Sequence, residues 1–192
     1  MMRSILVGIL VLMAAGVGFL TFEWYRQTNS GEPYGSAFTL VDQNGAPITE
    51  AAFRGHPSAV FFGFTNCPEV CPTTLYELNG WLAKLGDEGK DIHAYFVSID
   101  PERDTPEMMK LYVENASDRI TGITGDPAKV YEMAKSFGIF WKKIDTGDGE
   151  YTMDHTASVL LLDGTGEFAG TIAYEENSDT AIAKLKRLAA KG

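Results

Sequence analysis

Cysteine is almost absent from this chain. Cys67 and Cys71 are the only two in 192 residues, and histidine occurs three times, at His56, His93 and His155. Two cysteines four positions apart cannot staple a domain, because a bridge between them would close a tiny loop and remove little entropy from the unfolded chain. Basic residues are also scarce, with 16 Lys and Arg against 26 Asp and Glu for a net charge of -10. Such a surface repels phosphate backbones and excludes nucleic acid as a partner. Proline is missing after Pro127, and no repeat period appears. Apolar residues, by contrast, make up 45% of the chain and aromatics 11%, enough to bury one core and to argue against disorder.

Long apolar runs are limited to one. Ile5 to Phe22 extends for 18 positions without a charge, close to the length needed to cross a hydrocarbon core. It ends in Phe19, Leu20 and Phe22 rather than in a small-x-small cleavage site, and Trp24 and Tyr25 follow where interfacial aromatics anchor a span. Residues 1–26 are therefore expected to form an uncleaved, single-pass membrane anchor. Arg3 and the terminal amine favour a cytoplasmic N-terminus, although Arg26 pulls the other way. This orientation would send the remainder to the opposite, more oxidising side. Arg3 and Arg26 against Glu23 give the anchor +1, so the other residues carry -11. Residues 27–35, polar and turn-rich, read as a linker, and residues 36–192 as the domain.

Within that domain, residues 38–48 predict a hairpin around Asn44-Gly45, and the apolar runs 59–64 and 92–99 predict two buried strands. Leu75, Leu78, Leu82 and Leu85 recur at helical spacing over 74–85, and Gly86 ends that helix. Asp104-Thr105-Pro106 and Asp126-Pro127 open two further helices, reaching about Asn115 and Phe137. Residues 158–171 predict a second hairpin, and 178–191 a closing amphipathic helix. The predicted order is strand, helix, strand, helix, helix, hairpin, helix. It implies an α/β three-layer sandwich with a mixed sheet, and the hairpin before the last helix resembles a thioredoxin core.

Both cysteines fall between a buried strand and a helix start, at the sheet edge where α/β proteins place ligands and where the helix dipole favours thiolate. Pro72 cannot donate to residue 68, so a regular helix should exclude Cys67 and the pair is expected on an irregular turn. Free cysteines can be mere core hydrophobes. A chain whose only two share one strand-to-helix junction points to chemistry instead. His56 lies in a polar loop, and His93, alternating within a strand, reads as a structural imidazole. His155 immediately precedes the late strand, which in a thioredoxin topology runs antiparallel to the 60–64 strand, so its imidazole is expected to reach both sulfurs. Two thiolates and one imidazole make a soft, three-coordinate set that suits Cu(I) and permits Cu(II), whereas structural zinc takes a fourth protein ligand.

The block Phe61-Phe-Gly-Phe-Thr-Asn-Cys67-Pro-Glu-Val-Cys71-Pro72, the block Val97-Ser-Ile-Asp-Pro-Glu-Arg-Asp-Thr105, and Asp154-His155-Thr156 occur in this order behind the apolar run. In these blocks the chain resembles the Sco/SenC family of copper chaperones for cytochrome c oxidase assembly. The resemblance implies a thioredoxin-like fold, copper ligation by Cys67, Cys71 and His155, and delivery of copper to the binuclear centre of oxidase subunit two. A copper donor or a thiol reductant would be a further partner, and the location an energy-transducing inner membrane with the domain on the periplasmic or equivalent outer side. It also implies that Cys67 and Cys71 can form a disulfide. Glu69 departs from the aspartate of many relatives, with no expected loss of copper binding. The Val97 to Thr105 block either caps a helix or supports the site or a docking surface, and residues 140–153 read as a mobile flap, with Trp141 packed inward or offered to a partner.

Two other functions compete with a non-enzymatic metallochaperone. A thiol-disulfide reductase would use the same cysteines to keep the oxidase's copper-ligand thiols reduced, and would not need His155. A peroxiredoxin-type peroxidase is the least favoured reading, because Val60 and Phe64 stand where its proline and Thr/Ser would be.

Overall fold

The computed structural model describes residues 13, 15–22, 33–147 and 149–191. The proposed span at 5–22 and the linker at 27–35 thus lie partly outside the described residues; 13 and 15–22 are helical, and among the described residues no helix is long and apolar enough to cross a membrane. The chain separates into two compact units that divide between Glu32 and Pro33.

The second unit is built on a mixed sheet. β1 (Thr39–Asp42) and β2 (Pro47–Thr49) form the expected first hairpin. Its turn is closed by Asp42 Oδ1, which accepts from Asn44 N at 2.8 Å and Ala46 N at 2.9 Å. β3 (Ser58–Gly63) and β4 (His93–Ser98) are the two apolar runs; every residue of β3 is buried, as a central strand covered on both faces requires. β5 (Ile120–Thr124) was not expected from the sequence and lies parallel to β4. β8 (Val159–Leu162) and β9 (Phe168–Ile172) form the second expected hairpin. The order across the sheet is β2-β1-β5-β4-β3-β8-β9, with β8 antiparallel to β3 as predicted.

Four helices cover the sheet: α1 (Val70–Leu85), α2 (Pro106–Ala116), α3 (Pro127–Ser136) and α4 (Ser178–Ala189). Side chains alternate across β3, so Phe61 and Phe62 face opposite layers. Phe61 lies against Phe96, which meets Tyr112 of α2 at 5.2 Å; Phe62 meets Phe137, at the end of α3, at 5.6 Å. The result is a three-layer α/β sandwich. Of the two candidate caps for α2, Asp104 and Thr105, it is Thr105 that accepts from Met108 N, and Asp126 caps α3 as predicted, accepting from Lys129 N.

Two expectations need correction. α1 begins at Val70, not Thr74, so Cys71 lies inside the helix and only Cys67 precedes it. The missing N–H of Pro72 costs nothing there, because first-turn donors have no intrahelical partner in any case. The segment 140–153, read as a flap, is a regular hairpin, β6 (Trp141–Gly147) with β7 (Glu150–His155), forming a separate two-stranded sheet.

Asn177 caps α4, accepting from Asp179 N at 2.9 Å and Thr180 N at 3.4 Å. Asn177→Ala should lower the stability of the domain by about 1 kcal/mol in urea titration, as loss of an N-cap does.

Candidate metal centre

β3 ends at Gly63, and the chain then turns through Phe64 to Glu69 before α1 begins. Cys67 N donates to Phe64 O at 3.3 Å, closing this turn, and Cys71 N donates to Cys67 Sγ at 3.3 Å. Cys71 is fully buried, while Cys67 is partly exposed. Gly63 makes the close approach possible. A Cβ at that position would lie 2.8 Å from Cys71 Sγ and 2.7 Å from the Phe96 ring.

His155 arrives from the other direction, as the last residue of β7, paired across the hairpin with Trp141. Its Nε2 stands 3.6 Å from Cys71 Sγ, and its ring meets the edges of Phe61 and Phe64 at 6.0 and 5.8 Å. Nδ1 lies 2.9 Å from Thr156 O. A carbonyl only accepts, so Nδ1 carries a proton and Nε2 is the ring nitrogen that faces the sulfurs. The ligand atoms of Cys67, Cys71 and His155 all lie within 4.8 Å of one another, the one such His, Cys or carboxylate group among the described residues. All three side chains singled out in the sequence converge. His56 and His93 do not join them; they stack on each other at 3.6 Å beside Ser58 and Pro57, at the opposite end of β3 and β4.

The thiols are electrostatically unequal. The Cys71 thiol donates to Cys67, and this bond, with help from His155 and the Cys71 amide, holds the Cys67 thiol down at about 4 despite the opposing effect of burial. Cys71 keeps its proton, pushed far above the usual thiol range by that same bond, by burial and by the Cys67 charge. Cys67 is thus the nucleophilic sulfur and Cys71 the protected one.

Sequence reasoning left the Val97 to Thr105 block undecided. Asp104 is buried, and its carboxylate accepts from the Thr65 hydroxyl at 2.6 Å, from Thr65 N at 3.2 Å and from the Ser98 hydroxyl at 2.7 Å. It thereby fixes the turn that leads to Cys67. Asp100 is also buried, paired with Arg103 and bonded by Tyr151. Trp141 packs inward, stacked on Tyr131 at 5.3 Å, whereas its neighbour Phe140 is exposed.

The SCO1/SenC family profile matches residues 26–190, most of the chain. The chain belongs to the SCO1/SenC family. Among solved Sco structures, it aligns with copper-bound ScoI of Bradyrhizobium japonicum at 42% identity and TM-score 0.74, over 80% of this chain and 98% of that one. It also aligns with BsSco, a member of the Sco family of cytochrome c oxidase assembly proteins characterised by a disulfide switch. That match has 25% identity and TM-score 0.64, over 84% of this chain and 98% of the other. The SCO2-like protein of Rickettsia prowazekii is 35% identical over 136 residues, which span 70% of this chain and 66% of that relative's length. The thioredoxin-like mixed sheet expected from the family resemblance is the fold observed.

Three outcomes test this geometry. In the metal-free reduced protein, iodoacetamide should modify Cys67 well before Cys71, at a rate nearly constant between pH 6 and 8, whereas an ordinary thiol with a pKa of about 8.5 slows about tenfold per pH unit below it. Cys71→Ala removes the donor thiol and should restore most of that pH dependence, as followed by mass spectrometry. Gly63→Ala should cost about 1–3 kcal/mol of stability by overpacking, measured by thermal unfolding, because the methyl group meets a buried sulfur and a buried ring.

Proposed function

We propose that this chain is a copper metallochaperone that binds one copper ion through Cys67, Cys71 and His155 and passes it to the binuclear copper centre of cytochrome c oxidase subunit two. The observation that carries this reading is the convergence of two sulfurs and a free imidazole nitrogen within 4.8 Å. Copper bound in the Bradyrhizobium relative and the oxidase-assembly role stated for BsSco support it. The donor set is soft and three-coordinate, which suits Cu(I) and leaves room for an incoming ligand. An acceptor thiolate can then join before a donor leaves, so transfer proceeds by ligand exchange without releasing a free ion. Residues 5–22 would tether the domain to an energy-transducing membrane, on its periplasmic or equivalent outer side.

The depressed Cys67 thiol favours a second activity, thiol-disulfide exchange with the oxidase's copper-ligand cysteines. Cys67 thiolate would attack the target disulfide and expel one target thiolate. Cys71, once deprotonated, would then displace the second thiolate and leave a Cys67–Cys71 disulfide, with two electrons passed to the target. A dithiol reductant would have to regenerate the pair. This step uses no imidazole.

His155→Ala separates the readings. Copper titration of the reduced full chain in detergent should show one ion per chain for the wild type and a loss of affinity of at least about tenfold for the variant, while disulfide exchange falls far less. Cells carrying His155→Ala should lose oxidase activity when copper is limiting and recover part of it on copper addition. Normal activity at limiting copper, together with failure of a Cys71→Ser variant, would favour the reductase instead.

A further inference from the structure

We propose that the loop joining β4 to α2 is a clasp that sets the spacing between the imidazole and the two sulfurs, with Asp104 fixing the cysteine turn through Thr65 and Asp100 with Arg103 fixing the histidine hairpin through Tyr151. The proposal rests on the ligand set proposed above and assigns positioning residues to it.

The need for a clasp follows from topology. His155 sits on a hairpin that shares no ladder with the main sheet, and an isolated two-stranded hairpin is at best marginally stable. Tyr151, Met153 and His155 alternate onto one face of β7. Met153 buries that face against the core, and Tyr151 ties it to the loop through polar contacts. Its hydroxyl donates to Asp100 Oδ1 at 2.7 Å, and its carbonyl accepts from Arg103 Nη1 at 2.9 Å. The guanidinium lies 3.7 Å from the centre of its ring, and Arg103 Nε pairs with Asp100 Oδ2. Lys143, on the partner strand, adds a bond to Glu102 at 2.6 Å and stands 4.6 Å from the same ring.

These side chains are not engaged in capping α2, because Thr105 performs that task. The loop is itself stiff: Arg103 N and Asp104 N both donate to Asp100 O at 3.0 Å. Asp100 and Asp104 are therefore held one turn apart, Asp104 on the cysteine side and Asp100 on the histidine side. At about 3.4 Å per residue, the His155 backbone lies about 14 Å along β7 from Tyr151. A tilt of only about 5° at Tyr151 would carry the imidazole about 1 Å, a large fraction of the 3.6 Å gap between His155 Nε2 and Cys71 Sγ.

The test compares the full chain with Arg103→Ala, Tyr151→Phe, His155→Ala and the Arg103→Ala/His155→Ala double variant. Cu(I) affinity is read by competition with a chromophoric chelator, Cu(II) coordination by electron paramagnetic resonance, and the metal-free hairpin by amide hydrogen exchange. Arg103→Ala and Tyr151→Phe should each weaken Cu(I) binding about tenfold, the lower end for loss of a group that orients a metal ligand, and should alter the Cu(II) spectrum. Exchange over 150–155 should quicken about tenfold while β3 and β4 stay protected. Once His155 is gone, Arg103→Ala should change affinity by no more than about twofold, because the clasp acts through the imidazole. Wild-type affinity and spectrum in both single variants, or an undiminished loss in the His155→Ala background, would overturn the clasp. If Arg103→Ala fails to fold, Tyr151→Phe, which keeps the ring, decides the matter alone. A wild type that binds copper no better than His155→Ala would overturn the ligand assignment instead, and hairpin exchange in the metal-free protein would still decide the clasp.

Discussion

A carboxylate with no exposure to water is the constraint around which this domain is organised. Burying Asp104 raises its pKa, an effect partly offset by the bonds it accepts, and such a group is tolerated only where its lone pairs are filled. The partners are Thr65, from the turn before the first cysteine, and Ser98, from the end of the neighbouring parallel strand. Its own carbonyl accepts from the Thr124 hydroxyl, at the end of the next strand. One residue thus gathers the C-terminal ends of three parallel strands. The sulfurs lie where they do because this edge is pinned from beneath.

The apolar layers do the rest. Phe61, Phe96 and Tyr112 form one wall and Phe53, Phe62 and Phe137 the other, so β3 is encased and its exit direction is fixed. Against this frame, the asymmetry of the thiols needs no special device. Cys71 is on a helix face that points into the core, along with Leu75, Leu78, Leu82 and Leu85, and Cys67 precedes the first turn of that helix. Helical periodicity alone buries one sulfur and leaves the other reachable.

Most of the site was legible in the sequence because its signals are local and chemical: two cysteines at one junction, and a histidine directly before a strand. The hairpin bearing that histidine was not, because its exposed strand Trp141–Gly147 shows no alternation of apolar and polar residues and its turn is rich in glycine. β5 was hidden by Gly122, which reads as a strand breaker. In the fold that glycine is needed at the strand's centre, where a Cβ would press within 3.2 Å of Met109 and 3.4 Å of Val113 on α2. The ties of Asp100 and Arg103 to Tyr151 span about fifty positions, and no periodicity carries information over that distance.

The separateness of the β6–β7 sheet also bears on how a metal would leave. In the proposed ligand set the two sulfurs would act as a chelating pair on one junction, whereas the imidazole would come from a hairpin outside the main sheet. With copper bound, the single nitrogen would be exchanged more readily than either sulfur of the pair, and the position it vacated would lie on the side of the hairpin. Delivery would thus have a direction: an acceptor has to approach from the hairpin side, and its first ligand takes the place of nitrogen before either sulfur yields.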